Sequence, residues 1–341
     1  MIRVGLLGYG YWGRQLARVF DELDGTQVVA IADPAADARG EATRRFRGVA
    51  IAADPCAVTD DPGVDAVVIA TPLASHAELA ERALRQRKHV LVEKPIAATA
   101  ADARALAAIA RDCARVLMVD HTYVYSEPVR ALKSVLESGE LGELLYYDSV
   151  RVNLGRFRPD ADALWDLGVH DLACLDYLLG TQPLRVTATG RAHTALDRHS
   201  LCYVTLHYPG RLIAHVNVNW LSPIKIRRVM LGGVRQLAVI DELDPVAPVK
   251  IFEGAPAQVE SPESIREGRV SYRTGAIHMP RLRLVEPLAS MARHFLDCIC
   301  DGTTPLSDGV CAARVITVLE AASRSLAAGG WPVALDAGGG Q

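Results

Sequence analysis

The feature that most constrains the fold lies near the start of the chain, where a glycine-rich segment joins an apolar stretch to an amphipathic one. The segment Gly8-Tyr9-Gly10-Tyr11-Trp12-Gly13 follows the apolar run Val4–Leu7 and precedes apolar residues at helical spacing. A dinucleotide-binding unit requires this order of strand, turn and helix. The first glycine permits a tight turn, the second lets the backbone approach a pyrophosphate, and the third lets helix and strand pack closely. The pattern predicts a Rossmann-type domain in which Gly8, Gly10, Tyr11, Trp12 and Gly13 border a dinucleotide.

An acidic residue ends the second predicted strand. The run Val28–Ala32 leads to Asp33, which lies twenty residues after Gly13. A carboxylate at this position accepts hydrogen bonds from the adenosine ribose hydroxyls. It also repels the additional phosphate of NADP, so NAD is the expected cofactor. Arginines on the next predicted helix keep NADP open as the alternative.

Two different patterns divide the chain. Up to Asp120, helical stretches alternate with continuous apolar strands such as Ala66–Ala70, as in a parallel sheet covered on both faces. From Leu144 onward, many β-rich stretches alternate in polarity, as half-exposed antiparallel strands do. We therefore predict an α/β chain with a doubly wound Rossmann sheet over residues 1–120. Residues 121–341 are predicted to form an α+β domain with a large open, mostly antiparallel sheet.

Length, charge and hydropathy exclude several classes of partner. The 341 residues, half of them apolar, are enough for two sizeable cores. The formal charge of −3 comes without a basic cluster, which argues against nucleic acid and anionic membranes as partners. No apolar run approaches the roughly 20 residues that span a bilayer, and the chain enters its first strand directly, so a cytoplasmic location is expected. The open second sheet predicts a homodimer or homotetramer that pairs through it.

Cysteine usage argues against disulfides and metals. The seven cysteines are scattered and form neither a disulfide framework nor paired zinc-binding motifs. His170 and Cys174 have the spacing of metal ligands on a helix, but two ligands alone are weak support. We expect no metal.

Two loops are expected at the carboxyl edge of the first sheet, where cofactors bind. The first contains Thr71, Pro72 and His76, which we expect to border the cofactor, with a helix-capping role for His76 as the alternative. The second is Glu93-Lys94-Pro95, in which proline fixes the local backbone, with a cis peptide bond as one way of doing so. An ammonium at Lys94 near the nicotinamide would hydrogen-bond a substrate oxygen and stabilise its alkoxide character. The alternative is a solvated loop lysine.

A third candidate lies at the start of a predicted helix, Val169–Leu179. Asp166 and His170 are four residues apart, a spacing that can bring both side chains toward one patch. The imidazole would then shuttle the substrate proton, while the carboxylate would orient the imidazole or stabilise its protonated form. Asp166 as a simple N-cap is the alternative.

Taken together, these residues resemble the Gfo/Idh/MocA oxidoreductase family over almost the whole chain. The matching parts, in family order, are the Gly8–Gly13 turn, Thr71-Pro72 with His76, Glu93-Lys94-Pro95, and Asp166 with His170. The resemblance implies that Lys94 and His170 serve the alcohol or ketone, that Asp166 assists, and that Glu93 lies beside the cofactor. It also implies substrate contacts, for which the candidates are His121, Tyr123, Arg151, Asn153 and Trp165. Family enzymes often carry arginine or asparagine after the sixth strand, where this chain has His121.

The expected activity is hydride transfer between NAD and a ring carbon of a sugar. The finer resemblance favours a nucleotide sugar or a sugar of a glycosylated natural product, with C3 as the preferred carbon, in antibiotic or polysaccharide biosynthesis. Two enzymatic alternatives stay open, an NADPH-dependent 3-ketosugar reductase of deoxysugar biosynthesis and an inositol-type dehydrogenase. A ligand-sensing regulator on the same fold is the non-enzymatic alternative. A zinc-dependent alcohol dehydrogenase is disfavoured because the thiols lack the necessary arrangement.

Overall fold

The chain folds into two units, each with its own β-sheet, in a computed structural model that describes residues 1–155, 157, 161–195, 197–254, 275–283 and 285–335. The first unit comprises residues 1–126 and 285–317. The second comprises residues 127–284 and 318–341, as far as these are described. Among the described helices, none combines the length and apolar character needed to cross a bilayer.

The first unit is the predicted doubly wound Rossmann fold. Its strands are β1 (Ile2–Leu7), β2 (Thr26–Ala32), β3 (Ala50–Ala52), β4 (Ala66–Ile69), β5 (His89–Glu93) and β6 (Leu117–Asp120). The helices between them are α1 (Tyr11–Glu22), α2 (Ala36–Arg45), α3 (Cys56–Thr59), α4 (His76–Arg85) and α5 (Ala100–Asp112). All strand pairs are parallel, in the order β3-β2-β1-β4-β5-β6. Every residue of β4 is buried, as expected of a strand covered on both faces.

The second unit is built on a larger sheet. Its strands are β7 (Leu144–Leu154), β8 (Arg185–Ala192), β9 (His199–His207), β10 (Ile213–Asn219), β11 (Leu221–Gly233), β12 (Gln236–Asp241), β13 (Val249–Glu253), β14 (Ile277–His278) and β15 (Val333–Ala334). They lie in the order β14-β13-β12-β11-β7-β10-β9-β8-β15. Among the described strands of this sheet, only β7 and β10 pair in parallel, which confirms the predicted mostly antiparallel sheet.

Helices cover one face of this sheet. Helix α6 (Glu127–Glu137) packs on β12 and β13, and α7 (Val169–Leu179) packs on α6. The side chains of β9 alternate between buried and partly exposed, as a half-covered strand requires. On the opposite side, here called the open face, Tyr146, Tyr203 and Ile213 are 37%, 41% and 42% exposed.

The boundary between the units differs from the predicted one. Helix α8 (Pro287–Asp301) and the first part of α9 (Gly309–Ala327) belong to the first unit, although residues 121–341 were expected to form one domain. Phe295 of α8 meets Phe20 of α1 edge to face, with ring centroids 6.2 Å apart. A sequence pattern shows that α8 has an apolar side but not which core buries it.

Candidate functional site

Four of the parallel strands bring the predicted cofactor residues to one edge of the first unit. The glycine turn follows β1, Asp33 follows β2, Thr71 follows β4 and Lys94 follows β5. Because these strands are parallel neighbours, their carboxyl ends share that edge. The strand order reverses between β1 and β4, which is where doubly wound sheets bind their ligands.

The glycine turn leaves room for a pyrophosphate. Gly8 has a φ of +88°, which glycine adopts at little cost, and a Cβ on Gly13 would lie 2.0 Å from the Gly8 carbonyl oxygen. A Cβ on Gly10 would meet no atom within 4 Å, so open space faces the backbone there. Gly10 is also the N-cap of α1, whose first N–H groups point into that space without a side-chain cap. The residues present therefore fit a dinucleotide.

Two aromatic residues of the turn are unusually accessible. Tyr11 and Trp12 are 67% and 44% exposed, and their rings meet edge to face with centroids 5.5 Å apart. Both lie in the first turn of α1, beside the open space at Gly10. Large exposed aromatic side chains at a helix start are available to contact a ligand.

Asp33 is held in place by the backbone. Its Oδ2 accepts the amide N–H of Tyr9 at 2.7 Å, and its Oδ1 accepts that of Ala35 at 2.8 Å. Each oxygen keeps a second lone pair for a ribose hydroxyl. The guanidinium of Arg39 donates to the carbonyl oxygens of Asp33 and Pro34 at 3.0 and 2.7 Å, so it is already engaged. This geometry agrees with NAD as the cofactor.

His76 connects two loops at the edge of the first sheet that carries the predicted cofactor residues, here called the cofactor edge. Its side chain is 2% exposed, with Nδ1 at 2.8 Å from the Pro95 carbonyl oxygen and Nε2 at 2.7 Å from that of Thr71. Burial lowers the pKa of the ring, and the two carbonyl contacts oppose this shift. The imidazole thereby ties the loop after β4 to the turn that carries Lys94.

Lys94 follows a buried carboxyl group. The Lys94–Pro95 peptide bond is cis, and the Lys94 amide N–H donates to Glu93 Oε2 at 3.0 Å. Glu93 lies opposite Asp120 in the ladder of β5 and β6. Burial, followed by repulsion from Asp120, raises the pKa of Glu93 well above its usual range. Asp120 was not among the predicted site residues, although it ends a strand next to the one that Glu93 ends.

His121 is a buried neutral imidazole. The side chain is 3% exposed, and neither ring nitrogen has a hydrogen-bond partner among the described residues. Burial, followed by the charge of Lys94, lowers the pKa of His121 to about 3. Near neutral pH the ring therefore offers one N–H donor and one acceptor.

The second unit presents Asp166 on an uncommon helical turn. A π-helix, Leu164–Gly168, runs directly into α7, and such turns often occur at functional sites. The indole N–H of Trp220 donates to Asp166 Oδ2 at 3.2 Å, and Trp220 is 1% exposed. It is Asp162, whose Oδ1 accepts the Trp165 amide N–H at 2.9 Å, that caps the start of this turn. His170 is the second residue of α7 and is partly buried.

The predicted substrate contact Arg151 lies in a buried ion network. Its Nε donates to Asp171 Oδ2 at 2.7 Å, and its Nη2 donates to Glu242 Oε1 at 3.1 Å. Arg151 and Asp171 are each 2% exposed. The network fixes β7 to the first turn of α7, and sequence reasoning did not find it because its three members are distant along the chain.

The remaining predicted substrate residues are partly buried. Tyr123 lies in a 3₁₀ turn after β6. In the second unit, Asn153 lies two residues after Arg151 on β7. Trp165 donates its indole N–H to Ser323 Oγ at 3.0 Å. Cys174 is buried, which raises the pKa of its thiol, and the described residues contain no group of three or more potential metal ligands.

Comparison with known proteins identifies the family. Residues 2–121 match the model of the oxidoreductase family with an NAD-binding Rossmann fold, and residues 129–234 match the GFO/IDH/MocA C-terminal domain. The fold and the cofactor edge thus define an NAD-binding oxidoreductase. The chain belongs to the GFO/IDH/MocA family, which confirms the family, the enzyme class and the cofactor predicted from sequence.

Several relatives span much of the chain. An uncharacterised oxidoreductase of Escherichia coli (strain K12), YdgJ, is 29% identical over 256 residues, which are 72% of each protein. A dTDP-3,4-didehydro-2,6-dideoxy-alpha-D-glucose 3-reductase of Streptomyces violaceoruber is 32% identical over 201 residues, 56% of this chain and 58% of that enzyme. The crystal structure of a proposed oxidoreductase from Magnetospirillum magnetotacticum MS-1 is 28% identical, has a TM-score of 0.81, and is similar over 94% of this chain and 99% of its own.

Proposed function

We propose that the protein interconverts a secondary alcohol and a ketone on a ring carbon of a sugar, with NAD as cofactor. The observation that carries this proposal is the position of Lys94, at the end of β5 on the sheet edge that also bears the glycine turn and Asp33. NAD, when bound, supplies the hydride acceptor or donor. The chain supplies binding, orientation and proton handling.

The cofactor would be held by residues of the first unit. The turn Gly8–Gly13 and the start of α1 would bind the pyrophosphate, with Tyr11 and Trp12 beside it. Asp33 would accept the ribose hydroxyls. The loop with Thr71 and Pro72, together with Glu93, would border the rest of the dinucleotide.

Three side chains would handle the reacting hydroxyl. The ammonium of Lys94 would donate to the substrate oxygen and favour its deprotonation. His170 would take or return the hydroxyl proton. Asp166, held by the indole of Trp220, would orient the imidazole and stabilise its protonated form.

The substrate contacts divide into direct and indirect ones. His121, whose ring nitrogens have no hydrogen-bond partner in the described part of the chain, and Tyr123 would contact the substrate from the first unit. Asn153 and Trp165 would do so from the second. The buried ion pairs of Arg151 support a different role, in which it positions α7 through Asp171 and does not touch the substrate.

The substrate class is a nucleotide sugar or a sugar of a glycosylated natural product. Support comes from the Streptomyces violaceoruber relative, whose name describes a reductase acting at position 3 of a dTDP-linked deoxysugar. We propose reaction at C3, with an inositol as the alternative substrate. NADPH-dependent reduction is a second candidate because Arg14, Arg44 and Arg45 line a cleft beside Tyr9, near the ribose end of the cofactor edge.

A substrate screen with two variants tests this function. Nucleotide sugars, free sugars, inositols and aminoglycosides would be incubated with the protein and either NAD or NADP, and the absorbance of the reduced nicotinamide recorded. Replacing Lys94 or His170 by Ala should lower turnover roughly 100- to 10,000-fold without changing the Kd for NAD. Lys250→Ala, which removes a surface ion pair on β13, is the control. Full turnover in both active-site variants would refute the proposal.

We further propose that the protein assembles as a homodimer or homotetramer through the open face of the second sheet. Thr189, Tyr203 and Asn217 lie side by side there, and the Tyr203 ring stacks on His215 with centroids 6.0 Å apart. Such a mixture of aromatic and polar side chains suits a second copy of the same face. Tyr203→Asp should shift the mass measured by light scattering to that of a monomer, whereas Val246→Asp on a loop should not.

We propose a cytoplasmic location. All seven cysteines are free thiols, and four of them are exposed or partly exposed. Free thiols persist in reducing compartments. Expression of the chain with a fluorescent fusion in a bacterial host, followed by fractionation, would test the location directly.

A further inference from the structure

Glu93 and Asp120 face each other at the cofactor edge of the first unit. They are partners in the parallel ladder of β5 and β6, so both side chains leave the sheet on the same face. Their exposed fractions are only 8% and 2%. Two carboxyl groups thus lie side by side where water has little access.

The hydrogen bonds around the pair lack one donor. Asp120 Oδ1 accepts the Thr122 hydroxyl, and Glu93 Oε2 accepts the Lys94 amide N–H at 3.0 Å. Asp120 Oδ2 is buried and receives no donor from any other group in the described part of the chain when both acids are ionised. The Glu93 side chain lies within hydrogen-bonding reach of Asp120. A carboxyl proton on Glu93 therefore supplies the missing donor.

The pKa shifts of the two acids agree with one proton remaining on the pair. Burial and then repulsion by Asp120 raise the pKa of Glu93, and burial raises the pKa of Asp120 against the effect of its hydrogen bonds. The charge of Lys94 lowers the pKa of both acids. Two carboxyl groups this close retain one proton because both cannot ionise together in a dry site.

We propose that Glu93 and Asp120 share one proton at neutral pH and, as a pair with a single negative charge, hold the Lys94 ammonium in position. Both are positioning residues, since they act through Lys94. The catalytic part of this inference rests on the function proposed above, whereas the shared proton does not. With two charges the two carboxylates would repel each other, and with none the pair would no longer attract the Lys94 cation.

The other titratable groups around the pair do not change charge in the same range. His121, next to Asp120 in the chain, stays neutral because its pKa is lowered to about 3. Tyr125, on the 3₁₀ turn after β6, stays protonated because burial raises its pKa. Lys94 contributes the remaining charge. The proton that titrates here thus belongs to the pair, and its steps belong to the pair as a whole.

Infrared spectroscopy tests the shared proton without turnover. At neutral pH the protein should show the carbonyl stretch of a protonated carboxylic acid, and that band should shift when glutamate is isotopically labelled at its side-chain carboxyl. Glu93→Gln should abolish the shifting band, whereas Glu78→Gln on the surface of α4 should leave it. If labelled wild-type protein shows no such band, the inference is overturned, and this arm requires no variant to fold.

Kinetics test the positioning role. Glu93→Gln and Asp120→Asn each keep one negative charge and one donor, so each should lose less kcat at neutral pH than the double variant does. The double variant lacks the negative charge of the pair and should lose at least about tenfold more kcat than either single variant. Glu78→Gln combined with Asp112→Asn is the matched control. Full activity of the double variant would refute the positioning role, whereas full activity of Lys94→Ala would refute the proposed function and leave the infrared result standing.

Discussion

Arg151 and Asp171 form a salt bridge inside the second unit, with Nε and Oδ2 2.7 Å apart and each side chain 2% exposed. Arg151 comes from β7, and Asp171 directly follows His170 on α7. The pair therefore fixes the position of the residue that we propose to carry the substrate proton. Removing one member of a buried pair leaves a charge without its partner, which is far more costly than losing an exposed pair.

Arg151→Met should lower the free energy of unfolding by about 3–5 kcal/mol, because the carboxylate of Asp171 stays buried. Arg228→Met is the control. Its salt bridge to Asp241 has the same length of 2.7 Å, but Arg228 is 53% exposed, so the loss should be below about 1 kcal/mol. Denaturant unfolding, followed by hydrogen exchange in α7, measures the loss of stability in each of the two variants. Equal losses in the two variants would show that burial of the pair does not matter.

Two substitutions in the glycine turn should distinguish an effect on folding from an effect on cofactor binding. Gly13→Ala places a Cβ 2.0 Å from the Gly8 carbonyl oxygen, so the free energy of unfolding should fall by about 1–3 kcal/mol. Gly10→Ala meets no atom within 4 Å, and its stability should stay within about 0.5 kcal/mol of the wild type. Its Cβ occupies the space of the pyrophosphate, so the Kd for NAD should rise at least about tenfold. Calorimetry with and without NAD distinguishes the two effects, and tight NAD binding by the Gly10 variant would argue against a pyrophosphate at this turn.

Local patterns predicted most of the secondary structure. The predicted helix Val169–Leu179 is α7, and it ends at Gly180, whose φ of +64° allows the chain to leave the helix. Helix α6 is absent from the predicted elements, although its buried Val129 and Leu132 have helical spacing. The two-residue strands β14 and β15 are too short to leave a pattern. The placement of α8 depends on contacts such as Phe20 with Phe295, which no local pattern contains.

The sequence predicted those site residues that a single segment of the chain is enough to identify. The glycine turn, Asp33 and Lys94 each follow a strand, so strand order alone brings them to one edge. The contact of Trp220 with Asp166 joins residues 54 positions apart, and the shared position of Glu93 and Asp120 requires knowledge of the strand register. Sequence spacing can nominate a residue, but its partners come from the tertiary fold.

Asp33→Ser should weaken NAD binding roughly ten- to a hundredfold, because hydrogen bonds to a charged group contribute about 1.5–3 kcal/mol. Loss of the carboxylate also removes the repulsion of the NADP phosphate, so the preference for NAD over NADP should fall. Fluorescence titration with the two reduced cofactors measures both constants. Asp37→Ser, which changes an exposed acid in the first turn of α2, should alter neither. An unchanged ratio in the Asp33 variant would remove the basis for assigning NAD through this residue.

Acid should destabilise the first unit through buried histidines. Burial, and then the charge of Arg115, lowers the pKa of His89 to about 4, and its Nδ1 accepts the Val116 amide N–H at 3.1 Å. The unfolded chain then takes up the proton before the folded one does. The free energy of unfolding should therefore fall as the pH drops below about 6.5, by at most roughly 1.4 kcal/mol per pH unit for this group, until the folded ring titrates near pH 4.

His121 adds to the same acid-induced loss, since its pKa is also lowered, to about 3. His89→Asn keeps an acceptor for the Val116 N–H but cannot take up a proton, so it should reduce the slope of stability against pH by about one proton. Arg115→Gln should reduce the slope less, because it removes only the smaller cause of the His89 shift. Denaturant unfolding at closely spaced pH values between 7 and 4 measures these slopes. A His89 variant with the slope of the wild type would mean that the ring is already charged in the folded protein, and that its contact with the Val116 N–H is broken there.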